Sequence, residues 1–421
     1  MKKFLFTALL AAGMNAYGQD TIRFTWIASE GEQKQFFVRV PLGRPFTIDW
    51  GNDSIETIVG NNTLQRLYSP PYTAGTYKVI VTESMTSYLD FYGTNSVTAI
   101  DLYGCTALKH LFCWDNDLES LNASGCTALE RVECQDNKLE YLNLSGCIAL
   151  EWLFCQNNNL TNLDVNGCTS LLWLECYNNN LTSLNVSGCT SLLGLLCENN
   201  NLTSLDISDC RELVSLGISY NQLNRLDISN NTKVGGVACS NNHLLLSDLY
   251  VVSSHIYSVY ESSYPYLVPS CYLGMQRLIP KSIVAGDTID FSAQTIFGNT
   301  LTVFIVEKDS MLAVENIDYS IKNGIIIFYD TGIYNVTMTN EAVRSYNFAT
   351  NDTFPITEVI AEITVNPKEV GIVPITNYEL EITSYEIYDI MGRKLYTSPN
   401  PSKRGRAVNL LYNSLVYNLL A

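Results

Sequence analysis

Cysteine recurs at a fixed interval of 21 residues through the middle of this 421-residue chain, at Cys105, Cys126, Cys147, Cys168, Cys189 and Cys210. A second series, Cys113, Cys134, Cys155, Cys176, Cys197 and Cys239, keeps the same step, with Ile218 in the one remaining slot. Asparagine forms a third series at Asn116, Asn137, Asn158, Asn179, Asn200, Asn221 and Asn242, and Asn95 lies one step before it. Three residue types locked to one period leave little choice of architecture. A period in the range of about 20–50 residues predicts a solenoid, in which each unit buries its apolar face only against the units on either side.

The unit reads LxxLxCxxNxLxxLxxSGCxx, as in Leu150-x-x-Leu153-x-Cys155-x-x-Asn158-x-Leu160. It resembles the leucine-rich repeat, whose core is LxxLxLxxNxL, over about residues 95–244. That resemblance implies a short parallel strand at Leu-x-Cys on a concave face and an asparagine ladder, Asn95 to Asn242, bonding the backbone of adjacent coils. An amide side chain suits that place because it both donates and accepts, and a tight buried turn leaves N–H and C=O groups to be satisfied. A unit this short predicts an extended or 3₁₀ outer side in place of a helix.

Thirteen cysteines in one chain first suggest a disulfide framework. Twelve of them sit at inward repeat positions, so they also read as buried thiols filling small apolar slots. In-register strands lie about 4.8 Å apart, whereas a disulfide brings Cβ atoms to about 3.8 Å, so bridges between neighbouring coils would strain the stack. Thiols, a few disulfides and a metal are the three readings. No CxxC pair is present to favour the last.

The formal charge of −17 argues against a nucleic-acid partner, whose binders carry basic faces. Three histidines leave little for histidine-based catalysis or a histidine-rich metal site. No P-loop, HExxH or GxSxG pattern occurs. The chain is therefore expected to be non-enzymatic and to need no cofactor or metal. Glu133 and Glu175 fall two coils apart, near an inverting-glycosidase separation, but a solenoid column produces such spacings automatically.

The regions on either side of the repeats alternate apolar and polar residues as strands do. Phe46-Thr47-Ile48-Asp49-Trp50-Gly51-Asn52-Asp53 followed by Ala74-Gly75-Thr76-Tyr77 resembles the PKD-type Ig-like module. Thr331-Gly332-Ile333-Tyr334 and Ala361-Glu362-Ile363-Thr364-Val365 read as late strands of a second Ig-like domain. The expected fold is mainly β, a leucine-rich repeat solenoid of 21-residue units flanked by Ig-like β-sandwiches. The expected boundaries are a signal peptide at 1–18, a PKD-like sandwich at 19–87, the solenoid at 88–247, a cap or linker at 248–264, an Ig-like sandwich at 265–368 and a partial sorting segment at 369–421.

Lys2 and Lys3, the apolar run Phe4 to Gly13 and the small residues of Ala16-Tyr17-Gly18 have the form of an export signal. No later run is long and apolar enough to be a transmembrane segment. Near the other end, Tyr385-Glu386-Ile387-Tyr388-Asp389-Ile390-Met391-Gly392-Arg393-Lys394-Leu395-Tyr396 resembles the core of the type IX secretion sorting domain. Pro399-Asn400-Pro401 follows that core where the family has it before, and the usual last strand is missing, so the segment is degenerate. The resemblance implies a protein exported to the surface or exterior of a Gram-negative bacterium.

Outward residues of the repeat strands form three columns on the concave side. They bring together Phe112, Trp114, Trp152, Phe154, Trp173 and Tyr177, with Glu133, Glu175 and Glu198 among them. Three of the five tryptophans fall here. Such a cluster predicts a binding face for a protein ligand on a host or bacterial surface, with glycan as the alternative partner. The competing expectation is that a flanking sandwich folds over these rings and makes them core. In later coils the same columns hold Gly194, Gly217, Gly236 and Ala238, which predicts a flat surface open to close approach.

Overall fold

The computed structural model describes residues 21–82, 85–92, 94, 96–261, 270–297, 299–347, 352–368, 385–388 and 394–398. The export signal, Asn95, Pro399 to Pro401 and the last 20 residues lie outside them. The chain divides into two units, 1–368 and 369–421. Of the second, two antiparallel strands are described, Tyr385–Tyr388 and Lys394–Ser398.

The first unit is mainly β and is built around a solenoid of 21-residue coils. Each coil contributes a three-residue strand to one parallel sheet, in the order His110–Phe112, Arg131–Glu133, Trp152–Phe154, Trp173–Glu175, Gly194–Leu196, Ser215–Gly217 and Gly236–Ala238. The middle residue of every strand points inward and is buried, from Leu111 and Val132 to Leu216 and Val237. The opposite side is extended, with short parallel strands at Ser120–Asn122, Tyr141–Asn143, Asn162–Asp164 and Ser183–Asn185. Between strand and ladder residue the chain turns through positive φ at Asp115, Asp136, Asn157, Asn178, Asn199, Tyr220 and Asn241. Asp and Asn tolerate that conformation better than most residues, and six of the seven positions use them.

The asparagine ladder works as a set of satisfied buried amides. Asn158 accepts from Leu139 N at 2.8 Å and donates to Cys134 O at 3.0 Å and Cys155 O at 3.1 Å. Asn137, Asn179, Asn200, Asn221 and Asn242 repeat this pattern, each donating to a carbonyl 24 residues earlier. Asn116, the first described rung, accepts from Thr94 Oγ1 at 2.7 Å and from Val97 N at 3.2 Å. The last rung is not an asparagine. Gln276 is fully buried, donates to Cys239 O at 2.8 Å and accepts from Leu244 N at 3.4 Å, as a further ladder residue would.

All thirteen cysteines are buried thiols. The second series, from Cys113 to Cys239, shares its columns with Ile218 and packs as apolar filler. The first series adds a weak polar contact: Cys126 Sγ lies 3.1 Å from Leu102 O, and Cys147 Sγ lies 3.2 Å from Ala123 O. Asn231, in the next slot of that series, makes the same contact more strongly, at 2.9 Å to Ile207 O. Burial pushes the Cys155 and Cys176 thiols well above their ordinary range and Cys168 up to about 11. Because the thiolate is the reacting form, an aromatic disulfide reagent is expected to leave the native thiols almost untouched. In denaturant without reductant it is expected to count all thirteen. A count near one would establish disulfides.

Both ends of the solenoid are covered by sheets that grow out of it. At the amino-terminal end, strands Ile22–Ala28, Pro45–Asp49, Ile55–Val59 and Gly75–Thr82 form a sheet that runs on through Val97–Asp101 into the outer strands. Strands Gln35–Arg39 and Gln65–Tyr68 join the concave sheet through Tyr88–Asp90. Between the two layers Trp26 and Trp50 stack at 6.1 Å, and Phe24 meets Phe91 at 4.7 Å. This aromatic core is continuous with the leucine core of the coils. At the other end the helix Leu246–Glu261 buries Leu246, Leu249, Val252 and Ile256 against the last coil. Strand Ser270–Tyr272 then extends the concave sheet and pairs with the long hairpin Gly332–Asn347 and Asp352–Asn366. No helix among the described residues is long and apolar enough to cross a membrane.

Candidate functional site

Strand register assembles the concave face row by row. One row runs Tyr88, His110, Arg131, Trp152, Trp173 and Gly194. The next runs Phe37, Asp90, Phe112, Glu133, Phe154, Glu175 and Leu196. Trp114, Gln135, Gln156, Tyr177 and Glu198 follow just beyond the strands at the same repeat interval. The nine residues expected to bind, Phe112, Trp114, Glu133, Trp152, Phe154, Trp173, Glu175, Tyr177 and Glu198, are all half-buried. They keep an accessible surface, so they are not enclosed as core.

Their side chains brace one another. Arg131 places its guanidinium 5.1 Å from the Phe154 ring and 5.7 Å from Trp152, and binds Glu133 Oε1 at 2.6 Å. Trp152 and Phe154 stack at 6.3 Å. Trp173 Nε1 donates to Glu175 Oε1 at 2.9 Å. Trp114 stacks on Tyr92 at 4.1 Å, and Phe112 leans on Tyr88 at 5.1 Å. Long side chains already held in place lose less freedom when a ligand arrives.

Two of the small residues of later coils, Gly194 and Gly217, have a different role from the one expected. A Cβ on Gly194 would overlap the Trp173 ring, and a Cβ on Gly217 would overlap the Glu198 carboxyl. The space above these glycines is therefore filled by side chains from the preceding coils and is not a flat open surface. Burial raises the pKa of Glu198, and the nearby Glu175 charge raises it further. Burial likewise raises Asp90, with a contribution from Glu133, and lowers His110. His110 Nδ1 and Gln135 Oε1 are buried on this face without a hydrogen-bond partner among the described residues. Unsatisfied buried polar atoms are uncommon in folded chains.

Sequence periodicity missed part of the face. Tyr88, Asp90 and Tyr92 belong to it, but Tyr88 precedes its neighbour His110 by 22 residues in place of 21. Phe37, Arg39, Arg66 and Tyr68 extend the face onto the amino-terminal strands. Arg66 lies 4.8 Å over Phe37 and Arg39 lies 5.5 Å over Tyr88, continuing the arginine and aromatic packing of the solenoid. The alternation Tyr88-Leu89-Asp90, like Trp173-Leu174-Glu175, was the available signal.

No family model matches the chain, and no curated protein matches it. Several solved structures are similar. The functional domain of InlJ from Listeria monocytogenes, described as including a cysteine ladder, aligns at 20% identity over 66% of this chain and 67% of that one, with a TM-score of 0.34. YopM, a leucine-rich effector protein from Yersinia pestis, aligns at 23% identity over 33% of this chain and 40% of its own, with a TM-score of 0.31. A TLR13–ssRNA13 complex aligns at 18% identity over 47% of this chain and 30% of that one, with a TM-score of 0.35. No residue role is carried across from any of them.

Proposed function

We propose that the chain is a non-catalytic recognition or adhesion protein that binds a protein ligand through its concave sheet. The observation that carries this is the braced, half-open row of rings from Phe112 to Tyr177, held on a sheet whose two ends are covered. Preorganised aromatics with arginine among them are the side chains that dominate binding energy at interfaces. The flanking sheets are read as Ig-like spacers and the segment 369–421 as a degenerate type IX sorting domain. The protein is accordingly placed outside a Gram-negative cell, at its surface or released from it. The antiparallel pair Tyr385–Tyr388 and Lys394–Ser398 supports that reading of the second unit.

A glycan ligand is the second reading, supported by the half-exposed ring platforms of the same face. One experiment serves both. Full-length protein and the Trp152→Ala/Trp173→Ala variant are screened against surface proteins and glycans. Loss of two central rings is expected to weaken binding at least about thirtyfold, the scale of a single strong hot spot. The chemical nature of the ligand found then separates the two readings. Undiminished binding of every ligand by the variant overturns the concave face as the site.

A further inference from the structure

The central row of the concave face has a chemical period of its own. Across seven register-paired strands it reads Phe37, Asp90, Phe112, Glu133, Phe154, Glu175, Leu196. Apolar and acidic residues alternate without exception, and the row crosses from the amino-terminal sheet into the solenoid. Adjacent strands are about 4.8 Å apart, so both the rings and the carboxylates repeat every ~9.6 Å. A polyproline II helix has three residues per turn and a rise of about 3.1 Å, a repeat of ~9.3 Å. Over the two periods from Asp90 to Glu175 the two repeats drift apart by only ~0.6 Å. A β-strand laid across the sheet repeats every ~6.7 Å and falls out of step within one period. An α-helix repeats every ~5.4 Å per turn, which leaves it over 1 Å out of step after two turns.

Charge selects the rest of the ligand. Residues 105–244 hold six Lys or Arg against 15 Asp or Glu, within a chain of net −17. The three carboxylates of the row are aimed by their own contacts. Asp90 Oδ1 accepts from Tyr92 N at 2.7 Å, Glu133 Oε1 from Arg131 Nε at 2.7 Å and Glu175 Oε1 from Trp173 Nε1 at 2.9 Å. Each is held through one oxygen, and a carboxylate has acceptor capacity to spare on the other. Arg66 lies over Phe37 and Arg131 over Phe154, and the half-buried ring surface these arginines leave accessible is where proline rings pack in polyproline recognition.

Resting on the concave-face reading, we propose that this row binds a basic polyproline II segment laid across the strands, with Lys or Arg at every third residue and proline between. Each cation meets one of Asp90, Glu133 and Glu175, and the prolines lie on Phe37, Phe112 and Phe154. The ligand therefore engages the amino-terminal sheet and the solenoid together.

The test uses the full chain and two synthetic peptides. One has five Pro-Pro-Lys units and the other five Pro-Pro-Pro-Lys units, with equal charge and the same helix but a different period. At low ionic strength the first is expected to bind at least about tenfold more tightly than the second, and to weaken as salt screens the carboxylates. Phe154→Ala, Glu175→Gln and Phe37→Ala are each expected to weaken it at least about fivefold. Glu175→Gln keeps the shape of the side chain and an acceptor for Trp173 Nε1, and so remains informative if a phenylalanine variant folds poorly. Equal affinity for the two peptides, or full affinity in Glu175→Gln, overturns the proposal. So does failure of both peptides to bind while a screened ligand is lost with Trp152→Ala/Trp173→Ala, and that result leaves the concave-face reading standing.

Discussion

Replacing Asn158 by leucine is expected to destabilise the solenoid by about 3–5 kcal/mol in chemical denaturation, more than most single substitutions cost. Asn158 is 6% exposed and bonds Leu139 N, Cys134 O and Cys155 O, with a longer contact to Gln156 O. Leucine fills similar space but leaves Leu139 N buried without its partner, at about 1–3 kcal/mol, while Cys134 O and Cys155 O each lose one amide donor and keep the other, from Asn137 and Asn179, at about 0.5–1.5 kcal/mol apiece. Partial relaxation of the turn keeps the total below the full sum. Two of these groups, Leu139 N and Cys134 O, lie in the coil before and Cys155 O lies in the residue's own coil, so the substitution also weakens the coupling between neighbours on which a repeat array depends. Asn158→Asp is the informative companion. A carboxylate can accept from Leu139 N but cannot donate, and it would face two carbonyl oxygens, so at neutral pH it is expected to be at least as damaging. A loss below about 1 kcal/mol for the leucine variant would show that the ladder amides do not support the stack.

The ladder also marks where sequence reading works and where it stops. Inward leucines, both cysteine series and the asparagines follow directly from the period, because a side chain that is buried in one coil is buried in every coil at the same step. The outward columns are equally legible, and the nine residues singled out do share one face. What escapes is anything set by a neighbour that is not one period away. Gln276 completes the ladder from 34 residues beyond Asn242, through a helix and a strand, and nothing in the repeat announces it. Tyr88 and Asp90 slip by one residue in the first coil. Phe37 and Arg66 reach the face by antiparallel pairing from strands outside the repeat. Gly194 and Gly217 look open in the sequence, but their emptiness is what lets Trp173 and Glu198 lie down. A glycine records the absence of a side chain without saying which neighbour takes the space. The cysteines divide for a related reason. Position alone makes both series apolar filler, and only the carbonyl beside first-series thiols such as Cys126 and Cys147 shows why Asn231 can stand in that series.

Leu153→Ala is expected to cost about 2–5 kcal/mol, the range for truncating a fully buried leucine that leaves a cavity. Leu153 has no exposed surface and lies between Val132 and Leu174, its register partners in the coils on either side. Parallel three-residue strands cannot close toward the gap without shifting Trp152 and Phe154, whose outward positions are tied to Arg131. The upper half of the range is therefore expected, together with a weakened concave face next to the cavity. Leu153→Met keeps the volume and should cost less than about 1.5 kcal/mol, which separates a cavity from a general intolerance of change. The position of the defect adds a second observable. A coil contacts only its neighbours, so a break at Leu153 divides the coils joined to the aromatic core of Trp26 and Trp50 from those joined to the helix Leu246–Glu261. Cys126 and Cys147 lie in coils next to the first of these and Cys197 and Cys239 in coils next to the second. Thiol labelling through a denaturant series should therefore show the two sets becoming reactive at separate midpoints in the alanine variant and at a single midpoint in the parent protein. A single shared midpoint with an unchanged melting curve would mean that Leu153 does not occupy the inward position assigned to it.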